Sequence, residues 1–228
     1  MGLGDKDSIS ETVGILYGVK AVKVAPAEGR YCDYSAVTES GEHFQGATYV
    51  DCRNIVSHDG LKEKIAQSMK QVVGGDFNVV LGSTTAGMSP AENLSRVLGE
   101  DAHYFYVRTD NKEYGLGKRI EGDKSLLYEL EELNVVIAED LINSGRSTKI
   151  VYNAIKDFAE KEGLELSNVS ITAIASYGNE QFSDWAEKES VSVKPLVYLS
   201  DVFKQGALKN YITEEQASSA LDFLSDST

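Results

Sequence analysis

The chain has 228 residues, 42% hydrophobic and 25% charged, the balance of an ordinary soluble globular protein. A chain of this length buries roughly 70–75% of its unfolded surface, so it needs no disulfide or metal staple, and Cys32 and Cys52 have neither zinc spacing nor a disulfide framework. A formal net charge of −14 opposes general attraction to nucleic acid or an anionic membrane, so any anionic ligand must be drawn by a local basic patch.

The opening MGLGDKDSIS is charged and short of apolar residues, unlike a secretory signal. No apolar run approaches the roughly 20 residues that cross a bilayer. With so few cysteines, the expected compartment is a reducing cytoplasm. Ser8 with Glu11 predicts a capping box opening an amphipathic helix through about Val22. Residues 28 to 46 are glycine- and polar-rich with scattered aromatics, and ATYVDCRNIV (47–56) predicts a strand. LKEKIAQSMKQVV places Leu61, Ile65, Met69 and Val72 on one helical face.

From there the chain alternates. FNVVLG predicts a strand, and SPAENLSRVLG a helix with Ser89 as cap and Pro90 in its first turn. HYFYV and NVVIA predict strands, and STKIVYNAIKDFAEKEG a helix. NVSITAIASY predicts a strand, EQFSDWAEKE a helix and KPLVYL a final strand, before Thr213 and Gln216 cap a closing helix, EEQASSALDFL. Short apolar strands separated by helices imply an α/β fold with a central, mostly parallel sheet covered on both faces. Ligands in such sheets sit beyond the carboxyl ends of the strands, where the loops after Leu81 and Ala138 lie. The order of strands does not follow from sequence.

VVIAEDLINSGRST (135–148) sets two acids, Glu139 and Asp140, after an apolar strand and before a donor-rich loop that opens a helix. Free backbone N–H groups and the helix dipole make such a loop an anion site. Two negative charges beside an anion site are consistent if they hold different parts of one ligand. A sugar phosphate offers hydroxyls to the carboxylates and a phosphate to the loop. A strand-end cap followed by a plain helix start is the bland alternative.

Two more stretches carry chemistry. YVRTDNKEYGLGKRIEG (106–122) combines Arg108, Lys112, Lys118 and Arg119 with three glycines, as a basic lid over a highly anionic partner would. GSTTAGM (82–88) follows a strand with small residues that let backbone approach a ligand and form an anion nest. A solvated loop and an ordinary strand-to-helix turn are the respective alternatives. His43, His58 and His103 lack ligand spacing, and Trp185 reads as core or interface.

The apolar strand, two acids, two aliphatics and Ser/Thr-Gly loop resemble the phosphoribosyl-diphosphate motif of the type I phosphoribosyltransferases. The stretch from Arg108 resembles the lid of the orotate branch, which runs Arg, three residues, Lys, one residue, His-Gly. Arg108, Lys112 and Gly115 match, and Tyr114 stands where that branch has histidine. GSTTAGM resembles the family's diphosphate loop, with Ser83 in place of its first threonine. AIASYGNEQFSDW and LSDVFKQGALKNYITEEQ extend the resemblance, which with YVDCRN spans most of residues 48 to 224.

The resemblance implies an orotate phosphoribosyltransferase, a pentosyltransferase of pyrimidine biosynthesis. Residues 1–55 would form an N-terminal helix and hood over the base, and 56–228 the catalytic core, in one continuous unit. It assigns ribose and 5-phosphate to Glu139, Asp140, Leu141, Ile142, Asn143, Ser144, Gly145, Arg146 and Ser147. Diphosphate falls to Thr84, Thr85, Ala86, Gly87, Arg108, Lys112 and Tyr114, and the base to Asn143. Lys112, Arg108 and Asp140 would be catalytic. It further implies Mg²⁺ bound through phosphoribosyl diphosphate, with no direct protein ligand, and a homodimer sharing lids across subunits. Around the base the sequence departs from the family: Gly46-Ala47 replace Ser-Pro, and Asn143 replaces a hydroxyl residue. Transfer to another base and a non-catalytic sensor of phosphoribosyl diphosphate therefore remain open. The absence of a basic helix and the charge of −14 oppose the sensor, and Lys112 favours catalysis.

Overall fold

The computed structural model describes residues 6–25, 32–37, 43–109 and 119–227. Helix α1 (Lys6–Gly18) begins two residues before Ser8 and stops short of Val22, so Ser8 is inside the helix, its carbonyl accepting from Thr12 Oγ1 at 3.0 Å. The helix ends because Lys20 adopts a left-handed φ of 56° and Val22 is taken into a strand. β1 (Val22–Val24), β2 (Cys32–Val37), β3 (His43–Gly46) and β4 (Thr48–Val50) follow. β1 pairs antiparallel with β4, and β2 with β3. The strand expected over 47–56 is therefore only three residues long. At Asp51 the carboxylate accepts from Arg53 N and caps a 3₁₀ turn, Cys52–Ser57.

Helix α2 (Asp59–Val73) buries Ile65 and Met69, with Leu61 and Val72 partly buried beside them. β5 (Val79–Ser83) leads to α3 (Met88–Leu98), whose N-cap is Gly87, so Ser89 is its second residue rather than its cap. β6 (His103–Val107), β7 (Ile120–Glu121) and the single turn α4 (Ser125–Tyr128) precede β8 (Leu133–Ile142). β8 runs through both acids instead of ending at Ala138. Then come α5 (Arg146–Glu162), β9 (Leu166–Ser176), α6 (Glu180–Lys188), β10 (Ser192–Tyr198), α7 (Leu199–Leu208) and α8 (Glu214–Ser227). The last opens with the expected capping box: Thr213 N donates to Gln216 Oε1 at 3.0 Å, and Gln216 N to Thr213 Oγ1 at 3.1 Å.

Six strands make the central sheet in the order β10-β9-β8-β5-β6-β7, all parallel except β7, which runs antiparallel to β6. Side chains alternate between its faces. Val80, Val136 and Ala138 join Leu16, Met69, Leu94 and Phe203 on one face, while Leu81, Val135 and Ile137 join Leu127, Ile155 and Phe182 on the other. Each large side chain buried this way contributes about 1.5–3 kcal/mol. From β5 the chain winds outward to β6, then returns to add β8, β9 and β10 on the opposite side. The direction reverses between β5 and β8, where a crevice opens beyond the carboxyl ends. That is where the two loops singled out in the sequence meet.

Candidate active site

Glu139 and Asp140 are neighbours on a strand, so their side chains leave it in opposite directions. Glu139 is 2% exposed. Its Oε2 accepts from Ser83 Oγ, across the β5–β8 junction, at 2.7 Å. Its Oε1 has no hydrogen-bond partner among the described residues. Burial pushes Glu139 up to about 8, against the lowering effect of the Ser83 hydrogen bond and with a smaller rise from the charge of Asp140. Burial also lifts Asp140, to about 6, although backbone N–H groups and the nearby charge of Arg53 pull the other way.

Asp140 lines an open cleft with Tyr49, Asp51, Arg53, Asn143 and Tyr177. Asp51 grips Arg53 with both carboxylate oxygens, Nε to Oδ1 at 2.6 Å and Nη2 to Oδ2 at 2.8 Å, and Nη2 also donates to Tyr49 Oη at 3.1 Å. The pairing lowers the carboxyl of Asp51 and raises the guanidinium of Arg53. One wall of the cleft thus presents a guanidinium fixed in place.

At the other wall β8 turns into α5. Gly145 is the N-cap of α5 with φ 69° and ψ 14°, a conformation that favours glycine. A Cβ there would also run into the ring of Phe182 on α6. Gly145 is buried while Asn143, Ser144, Arg146 and Ser147 are exposed around it, so the first turn of a 17-residue helix faces the crevice with free N–H groups.

The turn from Ser83 to Gly87 closes the crevice. A Cβ on Gly87 would lie 2.5 Å from Glu139 Oε2 and 2.8 Å from Ser83 N, so backbone rather than side chain meets the buried acid. The Thr84–Thr85 peptide is cis. Thr84 N donates to Val107 O at 3.0 Å, which ties the turn to β6. Arg108, next along, is half-exposed and paired with Glu121, Nε to Oε1 at 3.2 Å. Lys112, Tyr114 and Gly115 lie outside the described residues. Among the described residues, no group of three or more His, Cys, Asp or Glu could hold a metal ion, and no helix is long and apolar enough to cross a membrane.

No family model matches the chain. Over 170 residues it is 30% identical to the orotate phosphoribosyltransferase of Listeria innocua, covering 73% of this chain and 75% of that one. The chain belongs to the orotate phosphoribosyltransferase family. With the orotate phosphoribosyltransferase of Cutibacterium acnes the match, at 29% identity, spans 92% of this chain and 89% of that protein. The solved orotate phosphoribosyltransferase of Aeropyrum pernix superposes with a TM-score of 0.64 over 86% of this chain and 98% of that one, at 19% identity, and shows the same fold.

The described residues bring the acids of β8, the Gly145 loop and the turn 84–87 around one crevice. Glu139 and Asp140 lie near the carboxyl end of β8, which stops at Ile142, Ala86 and Asn143 reach the cleft, and Thr84 to Gly87 form the facing turn. Three contributors went unassigned in the sequence. Ser83 holds the buried acid, Arg53 is fixed by Asp51, and Tyr177 closes the cleft after β9. An arginine two residues after an aspartate in so acidic a chain was the available signal for Arg53. The stretch reads equally well as a hood over the base or as a plain strand, and neither reading singles out Arg53.

Proposed function

We propose that the protein transfers ribose 5-phosphate from phosphoribosyl diphosphate to a ring nitrogen of orotate, giving orotidine 5-phosphate and diphosphate. One observation carries this reading: a buried and a cleft-facing carboxylate stand near the carboxyl end of β8 at the switch point, opposite the N-terminus of α5. In this reading the first turn of α5, from Asn143 to Ser147, receives the 5-phosphate. Glu139 Oε1, which lacks a donor, receives one from a ribose hydroxyl, and Asp140 another. The turn Thr84–Gly87 cradles the diphosphate.

As the bond from the anomeric carbon to diphosphate stretches, positive charge grows on the ribose and negative charge on the leaving group. Two carboxylates beneath the ring favour the first, and Arg108 and Lys112 the second. Arg108 would exchange Glu121 for a diphosphate oxygen as the lid closes and excludes water. The base sits against the Tyr49, Arg53 and Tyr177 side of the cleft, within reach of the Asn143 amide.

Magnesium fits this site as a substrate-borne ion. The donor set is two carboxylates, one with a free oxygen, and it falls short of a protein cage. Such a set suits a metal that keeps waters and substrate phosphates and neutralises the diphosphate. A homodimer sharing lids and a cytoplasmic location belong to the same proposal. The test is diphosphate release with phosphoribosyl diphosphate, Mg²⁺ and a panel of bases. Release with orotate alone supports the reading, release with another base reassigns the acceptor, and binding without turnover on any base overturns it.

A further inference from the structure

We infer that Ser83 is a positioning residue for ribose transfer, its hydroxyl fixing one oxygen of Glu139 so that the other alone is presented to the sugar. The inference rests on the proposed role of Glu139 and goes beyond it by assigning a residue on a different strand. Ser83 is 4% exposed and Glu139 2%, and their 2.7 Å hydrogen bond joins the ends of β5 and β8 where the sheet changes direction. Gly87 packs against the same carboxylate oxygen, and a Cβ there would lie 2.5 Å from it. Oε1, itself buried, is without a donor among the described residues. A carboxylate on a long side chain has several rotamers, and a donor at one oxygen selects among them. Ser83 also begins the turn that continues through Thr84 to Gly87, so one residue links the sugar end of the ligand to its diphosphate end.

The bond has an electrostatic consequence. A hydroxyl donating to a carboxylate favours its charged form, the form that can accept from a sugar hydroxyl at both lone pairs. Asp140, on the same strand, is the other ionisable group whose charge reaches Glu139. β5 and the turn 84–87 carry no ionisable side chain. On α3, Glu92 and Arg96 pair with each other. On α5, Arg146 is exposed and Lys149 lies over the rings of Phe182 and Trp185. Loss of the Ser83 hydroxyl therefore leaves Glu139 harder to ionise, with no other donor to it among the described residues.

Ser83→Ala and Ser83→Thr separate positioning from packing. Ribose 5-phosphate binding is followed by calorimetry, and kcat/KM for phosphoribosyl diphosphate is followed against pH. In Ser83→Ala, affinity and kcat/KM fall about tenfold or more, as expected for a hydrogen bond to a charged group. The acid limb of the profile moves to higher pH by about one unit, and threonine, which keeps the hydroxyl, restores both. If Ser83→Ala fails to fold, the near-isosteric pair Ser83→Thr and Ser83→Val poses the same question. An unmoved limb, or a loss that threonine does not rescue, assigns Ser83 to packing and overturns the inference. Failure of the wild-type protein to bind ribose 5-phosphate would instead count against the proposed function itself.

Discussion

Thr109 and Thr84 exchange two hydrogen bonds: Thr109 N donates to Thr84 Oγ1 at 3.2 Å, and Thr109 Oγ1 donates to Thr84 O at 3.1 Å. One residue opens the diphosphate turn, and the other stands immediately before the segment carrying Lys112. In the proposed reading, the pair therefore ties the turn 84–87 to the start of the segment that carries Lys112. Thr109→Val keeps the shape and removes one donor. It is expected to lower kcat/KM for phosphoribosyl diphosphate about three- to tenfold while changing stability by only about 1 kcal/mol. Steady-state kinetics and chemical denaturation check both halves, and a kinetic effect no larger than the stability effect would disconnect the pair from closure.

Gly145→Ala combines two costs. The backbone at φ 69° disfavours any L side chain by roughly 1–2 kcal/mol, and the new methyl group would meet Phe182, whose Cγ lies 2.7 Å from the Cβ position. Overpacking of this kind adds about 1–3 kcal/mol. The variant should lose about 2–5 kcal/mol of stability, together with its affinity for ribose 5-phosphate, because the first turn of α5 must shift to relieve the contact. Combining it with Phe182→Ala removes the collision but not the backbone strain. A double-mutant cycle should therefore give a favourable coupling of about 1–3 kcal/mol, whereas simple additivity would place the Gly145 cost entirely in the backbone.

The parts of this fold legible in the sequence are those decided locally. VVL in β5 and VVIA in β8 are buried on both faces, so an unbroken apolar run was the right signature. The acids and the Gly145 loop share one short stretch, so their closeness in the fold was legible too. The errors fall where a side chain or distant partner outweighs local pattern. Asp51 captures Arg53 N and turns an apparent strand into a 3₁₀ turn. β8 continues through both acids because β9 pairs with it as far as Ile142, and Ser83, 56 residues before Glu139, gives the buried acid a donor. Arg53 meets Asp140 only because the sheet order brings β8 beside the 3₁₀ turn, and that order was not readable from the sequence.

Lys112 is the cation that the proposed chemistry needs only when charge builds on the leaving diphosphate. A group used mainly in the transition state affects kcat far more than ground-state binding. Lys112→Ala is expected to lower kcat by about 10²–10³-fold, the usual loss for one electrostatic donor. The dissociation constant for phosphoribosyl diphosphate should change only a few-fold. Single-turnover kinetics beside equilibrium binding separate the two, and unchanged turnover would remove the lid from the mechanism.

Glu139 should make the protein less stable as pH rises. Its folded-state value of about 8 lies above the ordinary 4.5, so the folded state holds the proton more tightly than the unfolded chain. The resulting stabilisation is complete below pH 4.5 and is lost as pH climbs through 8, on the order of 3–5 kcal/mol for a shift of that size. Asp140 adds a smaller loss in the same direction between 3.8 and about 6. Glutamine at position 139 never ionises, and its amide oxygen can still accept from Ser83. Glu139→Gln should therefore match the wild type near pH 5 and unfold at a higher temperature than it near pH 8.5. The same substitution places an N–H₂ donor where the ribose hydroxyl needs an acceptor, so turnover should fall about 100-fold or more, as when one stabilising electrostatic group is removed. Thermal melts at the two pH values, read beside the activity assay, test whether the buried acid is kept for catalysis at the expense of stability. Equal melting temperatures at pH 8.5 would mean that Glu139 ionises freely in the folded protein.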